Sequence, residues 1–514
     1  MALRFVSLAA LSLSALAFDN SRYDNVAVYW GQNSVGANSA NPPSSWQKPL
    51  AFYCNDNAVD VFPIAFVNVF FSTGGLPSLN LANTCNPTDN ATFPGSSLPN
   101  CASLASDIQT CQSKGKLVTL SLGGATGGVG FSSDDQGTAF AQTIWNLFLG
   151  GSSSTRPFGS AVLDGVDLDI ESGGGTGYVA FVNKIRSLAS GASKKYYITA
   201  APQCPYPDAA LGTVINAASF DAVYVQFYNN QCGLNNYNIA SDWDFGLWDY
   251  WARNISPNKN VKVYLGAPAS SGAAGSGYVD SATLSSIAVK MRKSFSAFGG
   301  VMLWDESQAY RLSSFHILAA RSEGRRTENG RFDLAIKNAL VAAGGTGFTF
   351  PACSAPAYST SGTYTAGTQV SYQGYIWQAK WWTANVPSAN FNGDWAAVSA
   401  CGGTSLPPSS SSTTTSKATS STKASSTTSS SPSGPTNGVC TGIAAWSSSV
   451  AYTGGSKVTY NSHLWTAQWW TQADTPGGSA GVWIDNGACA SLAKVATDAK
   501  PTVDIRAPSR FFRV

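Results

Sequence analysis

Eight short apolar runs punctuate the first 340 residues, at 26–30, 61–67, 117–122, 162–170, 196–200, 222–228, 261–265 and 301–304, each bounded by Gly, Asn, Ser or Pro. They are rich in β-branched and aromatic residues and too short for helices, so they read as strands. Most of the gaps hold helix-compatible stretches, among them 139–149, 178–189 and 282–295. Eight strands alternating with helices over roughly 320 residues predict an α/β chain of the (β/α)₈ barrel type. On pattern alone, a doubly wound open sheet is the alternative.

The barrel region is expected to span residues 18–343, preceded by a secretory signal at 1–17. Arg4 supplies the basic start, 5–16 the apolar run, and Ala15-Leu16-Ala17 the small-residue cleavage site before Phe18. That run is too short to span a bilayer, so a secreted, extracellular or wall-associated protein is expected. Export makes the ten cysteines readable: their number is even and no Cys-x-x-Cys occurs, which favours disulfides over zinc ligands. Asn90-Ala-Thr and Asn254-Ile-Ser are glycosylation sequons.

Charge and histidine content narrow the chemistry. Only 11% of residues are charged and the net charge is +3, which argues against nucleic acid or another polyanion as partner. The two histidines, His316 and His463, lie far apart in sequence and away from any Ser or carboxylate cluster. A Ser-His-Asp hydrolase or His-ligated metal enzyme is therefore excluded as an expectation, and catalysis must fall to carboxylates. No cofactor, metal or membrane partner is expected, and a monomer is.

Residues 353–401 and 439–490 form an internal repeat with an offset of 88, which carries Tyr358 to Trp446, Tyr364 to Tyr452, Val370 to Val458 and Trp377 to Trp465. The same offset carries Trp381-Trp382 to Trp469-Trp470, Trp395 to Trp483 and Cys401 to Cys489. Each unit has too little core to be secure alone, and one end-to-end disulfide, Cys353–Cys401 or Cys440–Cys489, is the natural staple. Between them, 402–438 is nearly all Ser, Thr, Pro and Lys, a linker that buries no core. No such tract precedes the first repeat. A docked first repeat and a tethered second are therefore expected, followed by a tail, 491–514, that carries no legible signal.

The sharpest chemistry lies in Asp164-Gly-Val-Asp167-Leu-Asp169-Ile-Glu171. Alternation along a strand puts Asp167, Asp169 and Glu171 on one face and Val166, Leu168 and Ile170 on the other. Inside a barrel the acids would point inward, with Glu171 last, at the C-terminal mouth. Three stacked carboxylates cannot all ionise cheaply, and such a row can hold a Glu protonated as a general acid. The spacing fits an amphipathic strand with its acids in water equally well.

Asp164-x-x-Asp167-x-Asp169-x-Glu171 resembles the DxxDxDxE signature of glycoside hydrolase family 18. The resemblance extends through Tyr29-Trp30-Gly31-Gln32-Asn33, Ser121-Leu-Gly-Gly124, Ala201-Pro-Gln203-Cys204, Gln226-Phe-Tyr228-Asn-Asn230 and Gly300-Val-Met-Leu-Trp304, in order, over 24–320. It is to the class III, hevamine-like chitinases. It implies an endo-acting chitinase that cleaves β-1,4-linked N-acetylglucosamine by substrate-assisted retention. Glu171 would be the acid and base, Asp169 would orient the acetamido N–H, Asp167 would share a proton with it, and Tyr228 would bond the acetamido oxygen. Trp304 would floor the site, with Tyr29, Phe66 and Gln226 lining the same pocket.

The resemblance also implies disulfides Cys54–Cys111, Cys85–Cys101 and Cys204–Cys232, and cis peptides at Ala65–Phe66 and Trp304–Asp305. Asp305-Glu306 departs from the plant pattern and is expected to shape the aglycone side. A non-catalytic chitin-binding lectin or inhibitor on the same fold, or an endoglycosidase on N-glycans, are the alternatives. The repeats resemble chitin-binding modules of carbohydrate-binding families 5 and 12. Strand alternation past Gln378 and Lys380 predicts Trp382 exposed and Trp381 in the core, with Trp470 and Trp469 following suit.

Overall fold

The computed structural model describes residues 17–310 and 330–402, and in the C-terminal part 440, 443–448, 450–452, 456–467, 471–472, 475–478 and 483–489. Residues 1–16 of the expected signal 1–17, His316, residues 403–438 of the linker 402–438, Trp469, Trp470 and the tail 491–514 lie outside the described residues.

The strands are β1 (Asn25–Val28), β2 (Val61–Val69), β3 (Leu117–Gly123), β4 (Gly165–Asp169), β5 (Tyr197–Ala200), β6 (Ala222–Gln226), β7 (Lys262–Pro268) and β8 (Phe298–Trp304). Each pairs in parallel with its sequence neighbour, and β1 pairs with both β2 and β8. That last pairing closes the sheet into an eight-stranded barrel and removes the open-sheet alternative. A short strand, Ser78–Leu79, adds antiparallel to the end of β2.

Period-two alternation sorts the strand residues into two cores. Val26, Val28, Val166, Leu168, Val223, Val225, Val301 and Leu303 face outward into the layer beneath the helices. Ala27, Tyr29, Tyr224, Tyr228, Tyr264 and Met302 fill the interior. The interior is thus aromatic and hydroxyl-rich rather than aliphatic.

Helix α1 (Asp134–Phe148) begins earlier than apolar periodicity suggested, because Ser133 caps it by accepting from Gln136 N and Asp134 and Asp135 suit its positive end. Helix α2 (Tyr178–Ala189) has the expected bounds. Helix α3 (Phe245–Tyr250) follows β6, and α4 (Ser281–Ser294) is capped by Asp280. Among the described residues no helix is long and apolar enough to cross a membrane. Disulfides join Cys54 to Cys111, Cys85 to Cys101, Cys204 to Cys232, Cys353 to Cys401 and Cys440 to Cys489.

The chain divides into two compact units, and the first repeat belongs with the barrel. It is a three-stranded antiparallel sheet of β9 (Gln369–Tyr372), β10 (Tyr375–Ala379) and β11 (Trp395–Ala400). The second unit holds the same sheet, as β12 (Lys457–Tyr460), β13 (His463–Ala467) and β14 (Trp483–Ala488), around Tyr452, Val458, Ala467 and Trp483. One side-chain expectation is corrected. Trp381 is 44% exposed beside Trp382 at 63%, because β10 ends at Ala379 and the chain bends through 380–382, where strand alternation no longer applies.

Candidate active site

Strand β4 delivers the acids inward. Asp167 is fully buried, and its register partners are Ser121 on β3 and Thr199 on β5. Both hydroxyls donate to its carboxylate at 2.7 Å, and the Tyr29 hydroxyl donates from across the barrel at 2.7 Å. Burial pushes the Asp167 carboxyl above the ordinary range, while Thr199, Tyr29 and Ser121 pull it back. Three hydroxyl donors suit an anion.

One step outward, Asp169 accepts from Gln226 Nε2 at 2.9 Å, and the same amide donates to Ala201 O at 2.9 Å. Burial, then the charges of Glu171 and Asp167, hold its carboxyl well above the usual value. Glu171 lies just past the strand end, only partly buried. Burial raises it, the amides of Gln226 and Gln203 oppose the rise, and the charge of Asp208 adds to it. Burial thus raises all three carboxyls, and the hydroxyl donors that oppose it are gathered on the innermost one.

Asp169 and Glu171 open onto a cavity of about 260 Å³, together with Phe66, Gln226, Tyr228 and Trp304. Phe66 and Trp304 stack at 5.8 Å between centroids, and Tyr29 leans on Trp304 at 5.6 Å. The peptide bonds Ala65–Phe66 and Trp304–Asp305 are cis. Gly124 sits at φ +85°, and a Cβ there would lie 2.8 Å from the Phe66 ring, so only glycine leaves that ring its place.

One expected residue falls elsewhere. Tyr29 is beneath the cavity rather than in its lining, because its hydroxyl is committed to Asp167. Trp382 is exposed on the first repeat, where it was expected. Asp305 does not line the cavity either. It caps the short helix α5 (Glu306–Ala309) and accepts from the backbone and hydroxyl of Ser34, so its role is to tie two mouth loops together. Glu306 is buried beside it.

Ser121, Thr199, Gln203, Asn68 and Asn80 were not singled out from sequence, yet the first three hold the acids and the last two line the cavity. For Ser121 and Thr199 the signal was available: each is a small hydroxyl residue at an inward position of its strand, in register with Asp167. Among the described residues no cluster of His, Cys, Asp and Glu suits a metal ion.

A closed parallel barrel whose mouth carries paired acids over an aromatic floor defines a glycoside hydrolase architecture. Residues 25–403 match the model for "Glycosyl hydrolases family 18", and the chain belongs to that family. Residues 445–484 match "Carbohydrate-binding module family 5/12". The chain is 50% identical over 311 residues to "Chitinase 1" of Rhizopus niveus, covering 60% of this chain and 59% of that one. It is 44% identical over 301 residues to "Endochitinase" of Saccharomyces cerevisiae, covering 58% and 50%. It is 40% identical over 352 residues to "Class III chitinase" of Arthroderma benhamiae, covering 66% and 93%. The matches to the Rhizopus and Saccharomyces relatives thus span between half and three-fifths of those proteins.

Proposed function

We propose that this chain hydrolyses β-1,4-linked N-acetylglucosamine in chitin by substrate-assisted retention, as a secreted enzyme. One observation carries the mechanism. Among the described residues the acids lining the cavity are Asp169, the last residue of β4, and Glu171, two positions further on at the same strand end. A two-carboxylate retaining enzyme needs its nucleophile and acid flanking the bond from opposite sides, roughly 5 Å apart. Among the described residues no carboxylate lines the facing wall, which supports an attacking oxygen supplied by the sugar's own 2-acetamido group.

In this reading Glu171, held protonated at the mouth, donates to the glycosidic oxygen and then activates water as base. Asp169 orients the acetamido N–H and balances the positive charge that develops, sharing its proton with Asp167. Tyr228 bonds the acetamido oxygen, and the stacked Phe66 and Trp304 form the floor beneath the sugar. The exposed Trp382, and Trp470 by analogy, offer faces to further sugars. The domain limits 18–343, 353–401 and 439–490 belong to the same proposal.

The test is Glu171→Gln with chitin oligomers. Binding is expected to persist while turnover falls by at least about 10³-fold. Proton NMR of the first wild-type product should show the β-anomer. Ready cleavage at deacetylated sugars, which lack the internal nucleophile, would refute the mechanism.

A further inference from the structure

The two repeats share a sheet but differ at two positions that face outward from it. In the first repeat Tyr375 and Ala397 occupy the register sites that His463 and Asp485 occupy in the second. Tyr375 and Ala397 are buried against the barrel. The Tyr375 hydroxyl donates to Asp249 Oδ2 at 2.7 Å, and Asp249, on α3, is itself fully buried and anchored by Ala297 N at 2.8 Å. The Arg253 guanidinium lies over both Tyr375, at 4.8 Å, and Phe350, at 5.0 Å. Ala397 meets Gly246 so closely that a Cβ on that glycine would lie 1.9 Å from the Ala397 carbonyl oxygen. Any larger residue at 246 would hold the repeat off.

The join is a continuous core rather than a surface touch. Tyr375, Trp377, Trp395 and Ala397 belong to one apolar cluster with the barrel's outer layer. The connector is also fixed, since Arg292 donates to the carbonyls of Gly344, Thr346 and Gly347. In the second repeat, by contrast, His463 and Asp485 pair with each other at 2.8 Å and both are about 40% exposed.

The docked repeat carries its exposed tryptophans at a particular place. β10 runs antiparallel along α3, with Tyr375 at Asp249 near its C-terminal end and Ala397, the register partner of Trp377, at Gly246 near its N-terminal end, so 380–382 continue past that N-terminal end. A helix that follows a barrel strand starts at the mouth, so this end of α3 lies on the side where the acids open. The Trp381 ring is fixed there by its Nε1–H donating to Asp394 at 2.7 Å, and Asp394 also accepts from Thr383 and Asn385.

The geometry points to the first repeat as an immobile wing of the barrel, docked through positions 375 and 397, that holds Trp381 and Trp382 at the mouth-side rim for the same polysaccharide chain that enters the cleft. The second repeat, with His463 and Asp485 at those positions, lacks this docking code. The inference rests on the proposed polysaccharide substrate. Its physical content is coupling: a contact rigidly fixed relative to the cleft is engaged intramolecularly once the cleft is filled.

The test transplants the second repeat's pair, as Tyr375→His with Ala397→Asp, into the full chain. Proteolysis at the 344–352 connector should begin only in this variant, and an unchanged pattern would overturn the docking code. Turnover is compared on N-acetylglucosamine oligomers of increasing length. Wild type should show a step of at least about five-fold in kcat/KM once the oligomer reaches from cleft to rim. The transplant should erase that step while keeping short-oligomer turnover, and a step that survives undocking would overturn the proposal. Should the transplant lose all turnover, Trp381→Ala with Trp382→Ala decides by the long-to-short ratio: a fall of about five-fold supports the wing, and an unchanged ratio refutes it. Calorimetric binding of the same series to Glu171→Gln separates the two readings. A length step in affinity without wild-type turnover would fail the hydrolase reading and leave the wing standing; turnover without any step would do the reverse.

Discussion

Tyr29→Phe tests the claim that the acid row is anchored by an ionised Asp167. The substitution removes one hydroxyl and keeps a ring that is 2% exposed and packed against Phe66 and Trp304. Asp167 then retains two of its three donors, Ser121 and Thr199. A hydrogen bond to a charged partner contributes about 1.5–3 kcal/mol, against about 0.5–1.5 kcal/mol for a neutral pair. The expected loss near neutral pH is therefore about 2 kcal/mol, read as the barrel's denaturant transition by tryptophan fluorescence. The sign with pH follows from linkage. Removing a donor raises the proton affinity of Asp167 in the folded state, so the variant's deficit is greatest where Asp167 is ionised in wild type and shrinks as pH falls and the carboxyl protonates in both. A loss under about 0.5 kcal/mol, or one that does not change with pH, would refute the anionic anchor.

Other consequences are open to the same kind of measurement. Asp208→Asn removes a negative charge that favours protonated Glu171, so the alkaline limb of the kcat profile should move to lower pH; a limb that stays or rises contradicts the assignment. Gln226→Leu strands both Asp169 Oδ1 and Ala201 O, and should cost about 2 kcal/mol of stability with at least a ten-fold loss of kcat. Replacing Cys353 and Cys401 by Ser opens a link between residues 48 apart, worth up to about 4 kcal/mol of loop entropy, seen as a lowered thermal midpoint under oxidising conditions.

The barrel was legible in the sequence because alternation is local: Val166, Leu168 and Ile170 against Asp167, Asp169 and Glu171 is a pattern within one strand. What holds the acids was not. Ser121, Thr199 and Tyr29 converge on Asp167 only once β3, β5 and the end of β1 are brought into register, and register is a property of the closed sheet. Trp381 was misplaced for the opposite reason, since a period-two argument was extended past the last residue of β10. The docking of the first repeat depends on Gly246 and Asp249, two unremarkable positions on a helix far from the repeat in sequence.

The order of the acids explains why the donors are placed where they are. Burial raises all three carboxyls, so the folded barrel takes up protons that the unfolded chain would release, and stability falls as pH rises from the ordinary carboxylate range through the raised values. Spreading donors evenly along the row would ease that cost but ionise Glu171, the acid the proposed reaction needs protonated. Gathering three hydroxyls on the innermost member instead favours its ionised form against burial, and the charge of Asp167 in turn raises the next carboxyl, Asp169. The anchor and the acid are thus one electrostatic device: weakening the hydroxyl cage at the bottom of the barrel should alter the protonation of groups at the top that it never touches.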